Sequence, residues 1–292
     1  MRNRLVSINR EDQAYQIGSF AIQAMIYEVS CFPTPGLVSP VSNGAHKDMN
    51  YYTFIDSTCA LIRYFIEFAR LGLSGISGVQ LFERIRTVGL IAEEEMFRKT
   101  KGVNTHKGML FLLGICCAAV GKCIGEKRRF EDTPKIIREM TAGLVDKELV
   151  RLQKKEKLSY GEKLYSQYKI EGIRGEVEKG IPTVFDYSLK LYTECSELSI
   201  NDRLVHTLLG IMQICEDTNI VHRHSLLTLK TVQARAKEIM MAGGMKTEKG
   251  RKMIEDLQNE FILENISPGG SADLLGITVF LSLVRDWYFA EM

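Results

Sequence analysis

Apolar residues recur every three or four positions along most of the chain, which is the period of an α-helix. In the segment AYQIGSFAIQAMIYEV this period places on one face Ile17, Ala21, Ala24 and Met25. In FIDSTCALIRYFIEFAR it selects the series Ile55, Cys59, Ile62, Ile66 and Ala69. The same pattern predicts further helices over residues 79–99, 109–123, 134–153, 184–195, 202–215, 226–242, 250–264 and 272–289. Because two-residue alternation is scarce, the sequence predicts an all-α fold.

Segments rich in glycine, proline and asparagine separate the predicted helices. They are CFPTPGLVSPVSNG (31–44), LGLSGISG (71–78), GEKRRFEDTP (125–134), MAGGMKT (241–247) and NISPGGS (265–271). None is long or low in complexity, and the chain shows no internal repeat. We therefore expect one compact multi-helix domain over residues 1–292, with a polar cleft lined by helix ends and loops.

The composition is that of a folded globular protein, with 45% hydrophobic residues and 38 basic side chains against 36 acidic ones. A formal net charge of +2 gives no reason to expect a nucleic acid or a membrane surface as partner. The seven cysteines include no CxxC pair, which favours reduced thiols and a cytoplasmic location. The N-terminus lacks the apolar segment of a signal peptide. The apolar stretches 109–120 and 274–284 are too short to span a bilayer, so we expect buried helices there.

Common nucleotide-binding and hydrolase motifs are absent from the sequence. No two glycines stand two positions apart, which excludes GxGxxG, and the Gly121–Lys122 pair lacks the upstream glycine of a P-loop. HExxH and GxSxG are also missing. The candidate chemistry must therefore come from residues outside these motifs.

Two groups of polar residues follow the first predicted helix. Glu28 continues its apolar stripe and so points inward, where a carboxylate needs a partner or a metal. The stretch NGAHKDM then supplies His46, Lys47 and Asp48; the histidine and aspartate suit a divalent metal, and the lysine suits a phosphate. The structural alternatives are an ion pair for Glu28 and a solvated loop in which Asp48 caps the next helix.

A third group surrounds the turn TKGVNTHKG. Glu93 and Glu95 lie near the end of the preceding helix, while Asn104, His106 and Lys107 stand just before a strongly apolar helix. Backbone N–H groups at a helix start, together with a lysine and a histidine, suit a phosphate group. The alternatives are an ordinary exposed acidic face and a simple N-cap at the turn.

Three more groups lie in the C-terminal half. In EGIRGEVEKGIP the glycines disfavour a continuous helix and leave Arg174 free to grip an anion, although a surface ion pair with Glu178 is the alternative. In EDTNIVHRHS we place Asp217 at a helix C-terminus, where an acid opposes the dipole and so suggests a metal; Asn219 and Arg223 follow. The turn NISPGGSADLL offers amides to an anion, with Ser271 and Asp273 as candidate ligands or as ordinary capping residues.

Five of these blocks, in order, resemble one known family. PTPGLVSPVSNGAHKDM, GVNTHKGMLFLLGICCAAVG, IRGEVEKGIP, EDTNIVHR and NISPGGSADLL are similar to the triphosphoribosyl-dephospho-coenzyme A synthases, which make the prosthetic-group precursor of citrate lyase and malonate decarboxylase. The resemblance extends from about residue 14 to residue 285. It implies that the ribose 2′-hydroxyl of 3′-dephospho-coenzyme A attacks C1′ of ATP, so that adenine leaves and the triphosphate is retained. Such a transfer builds oxocarbenium character on the ribose.

The resemblance also implies roles for the candidate residues. Substrate contacts are expected from Lys47, Asn104, His106, Lys107, Arg174, Asn219, Arg223 and Ser271. Magnesium ligands are expected among Asp48, Asp217, Asp273, Glu93 and Glu95, because Mg²⁺ prefers a few carboxylates together with phosphate oxygens. Catalytic roles are expected for Glu28, His46 and Asp48, with Glu28 or His46 as the general base.

The sequence departs from the family pattern at two places. Thr34 and Ser39 stand where the family usually has lysine and aspartate, and His224-Ser225 replace a usual Gly-Gly. No segment resembles the holo-citrate-lyase synthase that is fused to some members, so we expect a separate protein to attach the product to an acyl carrier; a homodimer is also expected. The competing interpretations are an all-α metal-dependent nucleotide phosphohydrolase, in which His46, Asp48 and Asp217 hold metals, and a non-catalytic helical scaffold.

Overall fold

The described part of the chain is helical, as the sequence predicts. A computed structural model describes residues 9–150, 158 and 160–289, and these contain no β-strand beyond one isolated bridge between Ser39 and Ser42. The α-helices are α1 (Arg10–Ser30), α2 (Tyr51–Leu73), α3 (Gly78–Lys99), α4 (Lys107–Gly125), α5 (Thr133–Thr141), α6 (Tyr160–Tyr168), α7 (Gly172–Glu178), α8 (Leu189–Glu194), α9 (Ile200–Met212), α10 (Thr218–Arg223), α11 (Leu226–Met241), α12 (Glu248–Glu264) and α13 (Gly269–Val284). Short π-helical segments cover Asp146–Val150, Thr183–Ser188 and Arg285–Phe289.

Helices α4 and α13 form the centre of the fold, and both are apolar on nearly every side. Helix α4 packs against α2 and α13, and α13 also contacts α1 and α9. The backbones of α2 and α4 approach closely at Gly72, where a Cβ atom would lie 2.1 Å from the carbonyl oxygen of Ala118. By length and composition α4 alone among the described helices could cross a membrane, yet 83% of its most apolar window is buried within the protein. Both apolar stretches are therefore buried helices, as the sequence predicts.

The predicted inward face of α1 is confirmed, whereas that of α2 is wrong. Ile17, Ala21, Ala24, Met25 and also Glu28 are all buried. In α2, Ile62 is 41% exposed and Cys59 is exposed as well. The buried face runs instead through Ser57, Thr58, Leu61 and Phe65, among others. Because Ser57 and Thr58 on that face carry hydroxyl groups, apolar periodicity alone does not identify it.

The helix predicted over residues 134–153 is confirmed as far as Thr141 and is wrong beyond it. Helix α5 ends at Thr141, Gly143 adopts a positive φ of 76°, and a π-helical segment covers Asp146–Val150; residues 151–153 lie outside the described residues. The carboxylate of Glu178 accepts hydrogen bonds from the backbone N–H groups of Gly143 and Val145 at 2.6 and 3.0 Å. The break is therefore held by a residue more than thirty positions away, which a local pattern does not reveal.

Two segments that we interpreted as loops contain short helices. Residues Gly172–Glu178 form α7, and the positive φ of Gly180 follows its end. Residues Thr218–Arg223 form α10. Because α10 begins at Thr218, Asp217 stands before a helix start, not at the helix C-terminus where the sequence placed it.

Candidate active site

The ends of several helices converge on one cavity with a volume of about 610 Å³. Its lining comes from the end of α1, the loop 37–49, α2, α3, the turn before α4, the first turns of α4 and α7, helix α10, the turn 267–270 and the start of α13. The predicted site residues that line it are Glu28, His46, Asp48, Glu93, Asn104, His106, Lys107, Arg174, Asn219, Arg223 and Asp273. This arrangement confirms the expectation of a polar cleft built from helix ends and loops.

Two carboxylates lie close together in the wall of this cavity. Glu28 is 6% exposed, and burial raises its pKa to about 8. Asp273 keeps some accessible surface, yet burial first, and the charges of Glu28 and Asp217 second, raise the pKa of its carboxyl well above the usual range. The amide of Met109 acts in the opposite direction by donating a hydrogen bond to Asp273. Two acidic groups placed together away from water suit either proton exchange or a cation.

Glycine at position 108 makes room for Asp273. A Cβ atom on Gly108 would lie 2.0 Å from Oδ2 of Asp273, which is far closer than nonbonded atoms approach. Gly108 is in the first turn of α4, so the carboxylate sits against a helix N-terminus, where the partial positive charge favours an anion. The missing side chain at Gly108 therefore lets the carboxylate of Asp273 lie against the start of α4.

His106 is buried and neutral, which corrects its expected role as a charged phosphate contact. Burial lowers its pKa to about 3. Thr105 Oγ1 donates to Ser57 Oγ at 2.8 Å, and Ser57 Oγ lies 2.8 Å from His106 Nδ1. Nδ1 is therefore engaged by the Ser57 hydroxyl, and the tautomer of the neutral ring sets which of the two atoms donates. Nε2 has no hydrogen-bond partner among the described residues, and it is thus available to a ligand.

His46 and Asp48 stand on the opposite wall, in the NGAHKDM loop. His46 Nε2 lies 2.9 Å from Ser267 Oγ, and its Nδ1 is 3.7 Å from Asp48 Oδ1. Burial, and next the charge of Arg223, lower the pKa of His46, although Asp48 raises it. Asp48 is 61% exposed and does not cap α2, whose N-cap is Asn50. The predicted Asn-Gly turn is confirmed, since Gly44 has a positive φ of 57° and His46 N–H donates to the carbonyl of Asn43.

The two departures from the family pattern are accommodated locally. Thr34 and Ser39 are buried; Thr34 Oγ1 donates to the carbonyl of Cys31, and the backbone N–H of Ser39 donates to the carbonyl of Ser42. His224 Nε2 lies 3.0 Å from the carbonyl oxygen of Asn265, and Ser225 is the N-cap of α11. These side chains complete loops and caps, and none lines the cavity within the described residues.

The cationic side chains that line the cavity include Lys107 at the start of α4 and Arg174 in α7. Lys107 pairs with Glu93 at 2.5 Å, and Asn104 accepts a hydrogen bond from the backbone of Lys107 at the start of α4. Arg174 pairs with Glu148 at 2.7 Å, and not with Glu178 as the alternative interpretation had it. Arg174 also lies in helix α7, although the glycines disfavour a continuous helix there.

Asp217 is a structural residue, which corrects its prediction as a magnesium ligand. It is 1% exposed and caps α10, where Oδ1 accepts from the amides of Asn219 and Ile220 at 3.1 and 3.4 Å. Oδ2 accepts from the amide and the hydroxyl of Ser271 at 2.8 and 3.1 Å. Burial raises its pKa, while the amides of Ser271 and Gly270 lower it. Since protein donors occupy both oxygens, Asp217 holds the 267–271 turn in place and leaves little room for a metal.

Three further predictions are corrected by placement. The described residues that line the cavity do not include Lys47, Glu95 or Ser271. Lys47 is exposed. Glu95 pairs with Arg98 one turn along the outer side of α3, and Arg98 lowers the pKa of Glu95. The amides of Gly270 and Ser271, expected to be free for an anion, are instead engaged by Asp217.

A divalent metal fits the cavity only in combination with a phosphate ligand. Within the described residues there is no group of three or more histidine, cysteine, aspartate and glutamate side chains suited to holding a metal by themselves. Mg²⁺ is commonly held by one or two carboxylates, water and substrate phosphates. Asp273 and Asp48 both line the cavity and could supply those carboxylates.

Sequence analysis missed one part of the cavity entirely. Arg86, Phe82 and Phe111 line its less polar side, and Glu148 pairs with Arg86 at 2.7 Å. Arg86 lies in α3 among other charged residues and belongs to no recognised motif. Phe82 stands four positions before Arg86 on the predicted helix, a spacing that allows a cation–π contact. This spacing is only a weak indication of a binding site.

Comparisons with known proteins point to one family. A family model described as ATP:dephospho-CoA triphosphoribosyl transferase matches residues 14–291. A protein of Lactiplantibacillus plantarum, named as a probable 2-(5''-triphosphoribosyl)-3'-dephosphocoenzyme-A synthase, is 40% identical over 92% of this chain and 97% of its own length. A protein of the same name from Malonomonas rubra is 37% identical over 97% of this chain and 92% of its own length.

A longer relative and the solved structures complete the comparison. Protein CitXG of Leuconostoc mesenteroides subsp. cremoris is 40% identical over 91% of this chain, which spans 58% of that longer protein. No solved structure matches the chain. None of these similarities supports the phosphohydrolase interpretation.

Proposed function

The chain belongs to the ATP:dephospho-CoA triphosphoribosyl transferase family, and we propose that it carries out this transfer in the cavity between α1, α3, α4 and α13. The observation that carries the proposal is the pairing of buried Glu28 and Asp273 beside two separate cationic groups. Such an arrangement suits a transferase that joins two phosphate-bearing nucleotides. The cationic groups neutralise the two phosphate chains, and a carboxylate accepts the proton of the attacking hydroxyl.

The reaction forms a bond between the 2′-oxygen of 3′-dephospho-CoA and C1′ of the ATP ribose, and it breaks the bond from C1′ to adenine. The hydroxyl proton passes to a general base, and adenine departs with the bonding electrons and gains a proton. The triphosphate remains on its ribose, which agrees with the missing P-loop. Positive charge develops on the ribose as the bond breaks, so a nearby carboxylate lowers the barrier.

Glu28 is the best placed general base in this cavity. Its pKa of about 8 lies near neutral pH, so the group can both accept and release a proton under working conditions. His46 is the weaker candidate because Nε2 is engaged with Ser267 and its pKa is lowered. We assign to His46 the role of positioning Asp48, and to the unpartnered Nε2 of His106 a hydrogen bond to substrate.

Lys107, Arg223, Asn104 and Asn219 line the cavity, and we propose that they contact the ATP triphosphate. Lysine and arginine supply charged donors to phosphate oxygens, and the two amides supply neutral ones. Asp273 and Asp48, with Glu93 near Lys107, are the carboxylates proposed to hold Mg²⁺ there. The metal would neutralise phosphate charge and orient the triphosphate.

The proposal is tested by incubating the protein with ATP, MgCl₂ and 3′-dephospho-CoA. Chromatography should detect adenine, and mass spectrometry should detect the triphosphoribosyl adduct in equal amount. The variant Glu28→Gln keeps the size of the side chain but should release adenine at least ~100-fold more slowly, as expected for loss of a general base. Phosphate or pyrophosphate release without adenine would overturn the proposal in favour of a hydrolase.

The cellular context of the reaction also follows from the proposal. We propose that a separate transferase attaches the product to an acyl carrier protein. We propose a cytoplasmic location, in keeping with seven free cysteines, and a homodimer in solution. Light scattering on the purified protein tests the dimer, and a carrier protein incubated with the product and cell fractions tests the separate transferase.

A further inference from the structure

Glu148 holds two arginines at one side of the cavity. Its Oε1 lies 2.7 Å from Nη2 of Arg86, and its Oε2 accepts a hydrogen bond from Nε of Arg174 at 2.7 Å. Arg86 belongs to α3, Arg174 to α7, and Glu148 to the π-helical segment Asp146–Val150. Three elements that are distant in sequence therefore bring two guanidinium groups to the same place, with a net charge of +1.

Aromatic rings fix the position of Arg86 further. Its guanidinium carbon lies 5.8 Å from the centroid of Phe82 and 6.0 Å from that of Phe111, and both rings line the cavity. Cation–π contacts and an ion pair orient a side chain that would otherwise sample many rotamers. A guanidinium has five N–H donors, and its ion pair with Glu148 leaves donors that can reach the cavity.

This pair of arginines stands apart from the cations at the other end of the cavity. Glu93, the partner of Lys107, follows Arg86 by seven residues along α3. Seven residues of an α-helix rise about 10 Å, so the backbones of Arg86 and Glu93 are roughly that far apart along the helix axis. This separation leaves room for a different phosphate group at each place.

We propose that Arg86 and Arg174 bind the pyrophosphate of 3′-dephospho-CoA, while the Lys107 end binds the triphosphate of ATP. This inference rests on the proposed function, in which each substrate carries its phosphate chain on its own ribose and both chains survive the reaction. Ile85, Leu90 and Ile173 surround the arginine side. Such an apolar lining suits the pantetheine arm beyond the pyrophosphate, whereas a metal-bound triphosphate suits the carboxylate end.

Glu148 is a positioning residue in this scheme. It does not line the cavity itself among the described residues, but it sets the direction of both guanidinium groups before substrate arrives. Preorganisation of this kind reduces the entropy lost when the acceptor binds. Its effect should therefore appear in the affinity for one substrate and not in the chemical step.

The test compares Arg86→Gln with Arg98→Gln, a matched change on the same helix whose ion pair with Glu95 lies outside the cavity. For Arg86→Gln we expect kcat/KM for 3′-dephospho-CoA to fall about tenfold, the loss typical of one charge-assisted phosphate contact. We expect kcat/KM for ATP, measured at saturating acceptor, and both values for Arg98→Gln to stay within about twofold of wild type. An equal loss for ATP, or no loss for either substrate, overturns the inference.

Calorimetric binding separates the inference from the proposed function. Wild-type protein should bind 3′-dephospho-CoA, and Arg86→Gln should weaken that binding about tenfold. Unchanged affinity overturns the pyrophosphate subsite even if the wild type makes the adduct. Weakened affinity in a protein that releases no adenine supports the subsite while overturning the proposed reaction.

Glu148→Gln tests the positioning role. This variant keeps the shape of the side chain but loses the charge that attracts both arginines, so KM for 3′-dephospho-CoA should rise about three- to tenfold with kcat unchanged. Glu148→Asp should recover part of the loss because its carboxylate still pairs with one arginine. A merely structural role would instead lower the midpoint of thermal unfolding and leave the ratio of the two KM values unchanged.

Discussion

Two carboxylates, Asp217 and Asp273, flank the turn 267–271, and they differ in what surrounds them. Asp217 receives hydrogen bonds from Asn219, Ile220 and Ser271, so both of its oxygens are occupied by protein donors. Asp273 receives the amide of Met109 and otherwise faces the cavity beside Glu28, another acid. From the sequence both were magnesium candidates. Neither burial nor a position at a helix end distinguishes an acid that supports the fold from one that binds a ligand. The two differ in how many hydrogen bonds the protein itself donates to the carboxylate.

The difference has an energetic meaning. A buried carboxylate with full hydrogen bonding contributes to stability, and losing it leaves several donors unsatisfied. A buried carboxylate next to another acid lowers the stability of the free protein, and ligands or cations recover the energy. We therefore expect substitutions of Asp273 and Glu28 to reduce activity, and substitutions of Asp217 to reduce stability.

The largest effect is expected for Asp273→Asn. The amide oxygen still accepts from Met109, but the charge proposed to hold Mg²⁺ and triphosphate is gone, so kcat/KM for ATP should fall at least ~100-fold. The free energy of unfolding should stay the same or rise, because a destabilised charge is removed. Adenine release and urea unfolding measure the two quantities. An active Asp273→Asn protein would remove Asp273 from the proposed site.

Gly108→Ala should disturb the same carboxylate without changing its chemistry. The new methyl group would lie 2.0 Å from Oδ2 of Asp273 and must displace it, so we expect a loss in kcat of about 10- to 100-fold. The control is Gly125→Ala at the other end of α4, where the nearest contacts begin at 3.4 Å. If both variants lose activity equally, the effect belongs to the helix and not to Asp273.

Asp217→Asn should affect stability more than catalysis. It weakens the hydrogen bonds that cap α10 and hold Ser271, and we expect a loss of about 1–3 kcal/mol in the free energy of unfolding. The concentration of Mg²⁺ needed for half-maximal adenine release should not change in the protein that remains folded. A shifted Mg²⁺ requirement at normal stability would restore Asp217 as a metal ligand.

Glu28→Gln should change how stability depends on pH. With its pKa raised to about 8, Glu28 keeps its proton in the folded protein at pH values where the unfolded chain has lost it. Its contribution is therefore complete below the ordinary value of 4.5 and is lost as the pH rises to about 8. In metal-free protein between pH 5.5 and 7.5, this proton should contribute a fall in stability of about 1.4 kcal/mol per pH unit. The variant should show a slope reduced by that amount in urea unfolding; equal slopes would place the Glu28 pKa outside this range.

The smallest effect is expected for Glu95→Gln. Its ion pair with Arg98 lies on the protein surface, where water screens such pairs and they contribute little to stability. Activity and Mg²⁺ requirement should match wild type. A variant with a clear defect in either would return Glu95 to the metal site and weaken the rule that cavity lining identifies the functional acids.

The fold was predictable wherever the inward face of a helix is apolar. Helix α1 meets that condition, so its buried stripe and inward Glu28 follow from spacing alone. Helix α2 does not, because Ser57 on its buried face supports His106, and polar residues on an inward face shift the apparent stripe. The break after α5 depends on Glu178, which lies far away in sequence. Local periodicity contains no information about such partners.

The site was predictable as a set of helix ends, but not in its assignments. The blocks that resemble a family contain most of the lining residues, including Asp273, Lys107 and Arg223. The sequence places Asp217 at the end of one helix, whereas it stands just before the start of α10. For this reason the hydrogen bond from the Ser271 amide to the Asp217 carboxylate could not be predicted. It also could not find Arg86, whose partners Glu148 and Phe111 come from other elements.

The burial of α4 has a consequence for biosynthesis. Helices α1, α2 and α3, which cover part of α4, emerge from the ribosome before it, but α13 is made well after α4 and adds to the cover. Until then a helix apolar enough to cross a membrane has an exposed side. Nascent or truncated chains that lack α13 should therefore be substrates for chaperones and proteases, and the enzyme should be folded only when α13 has been synthesised.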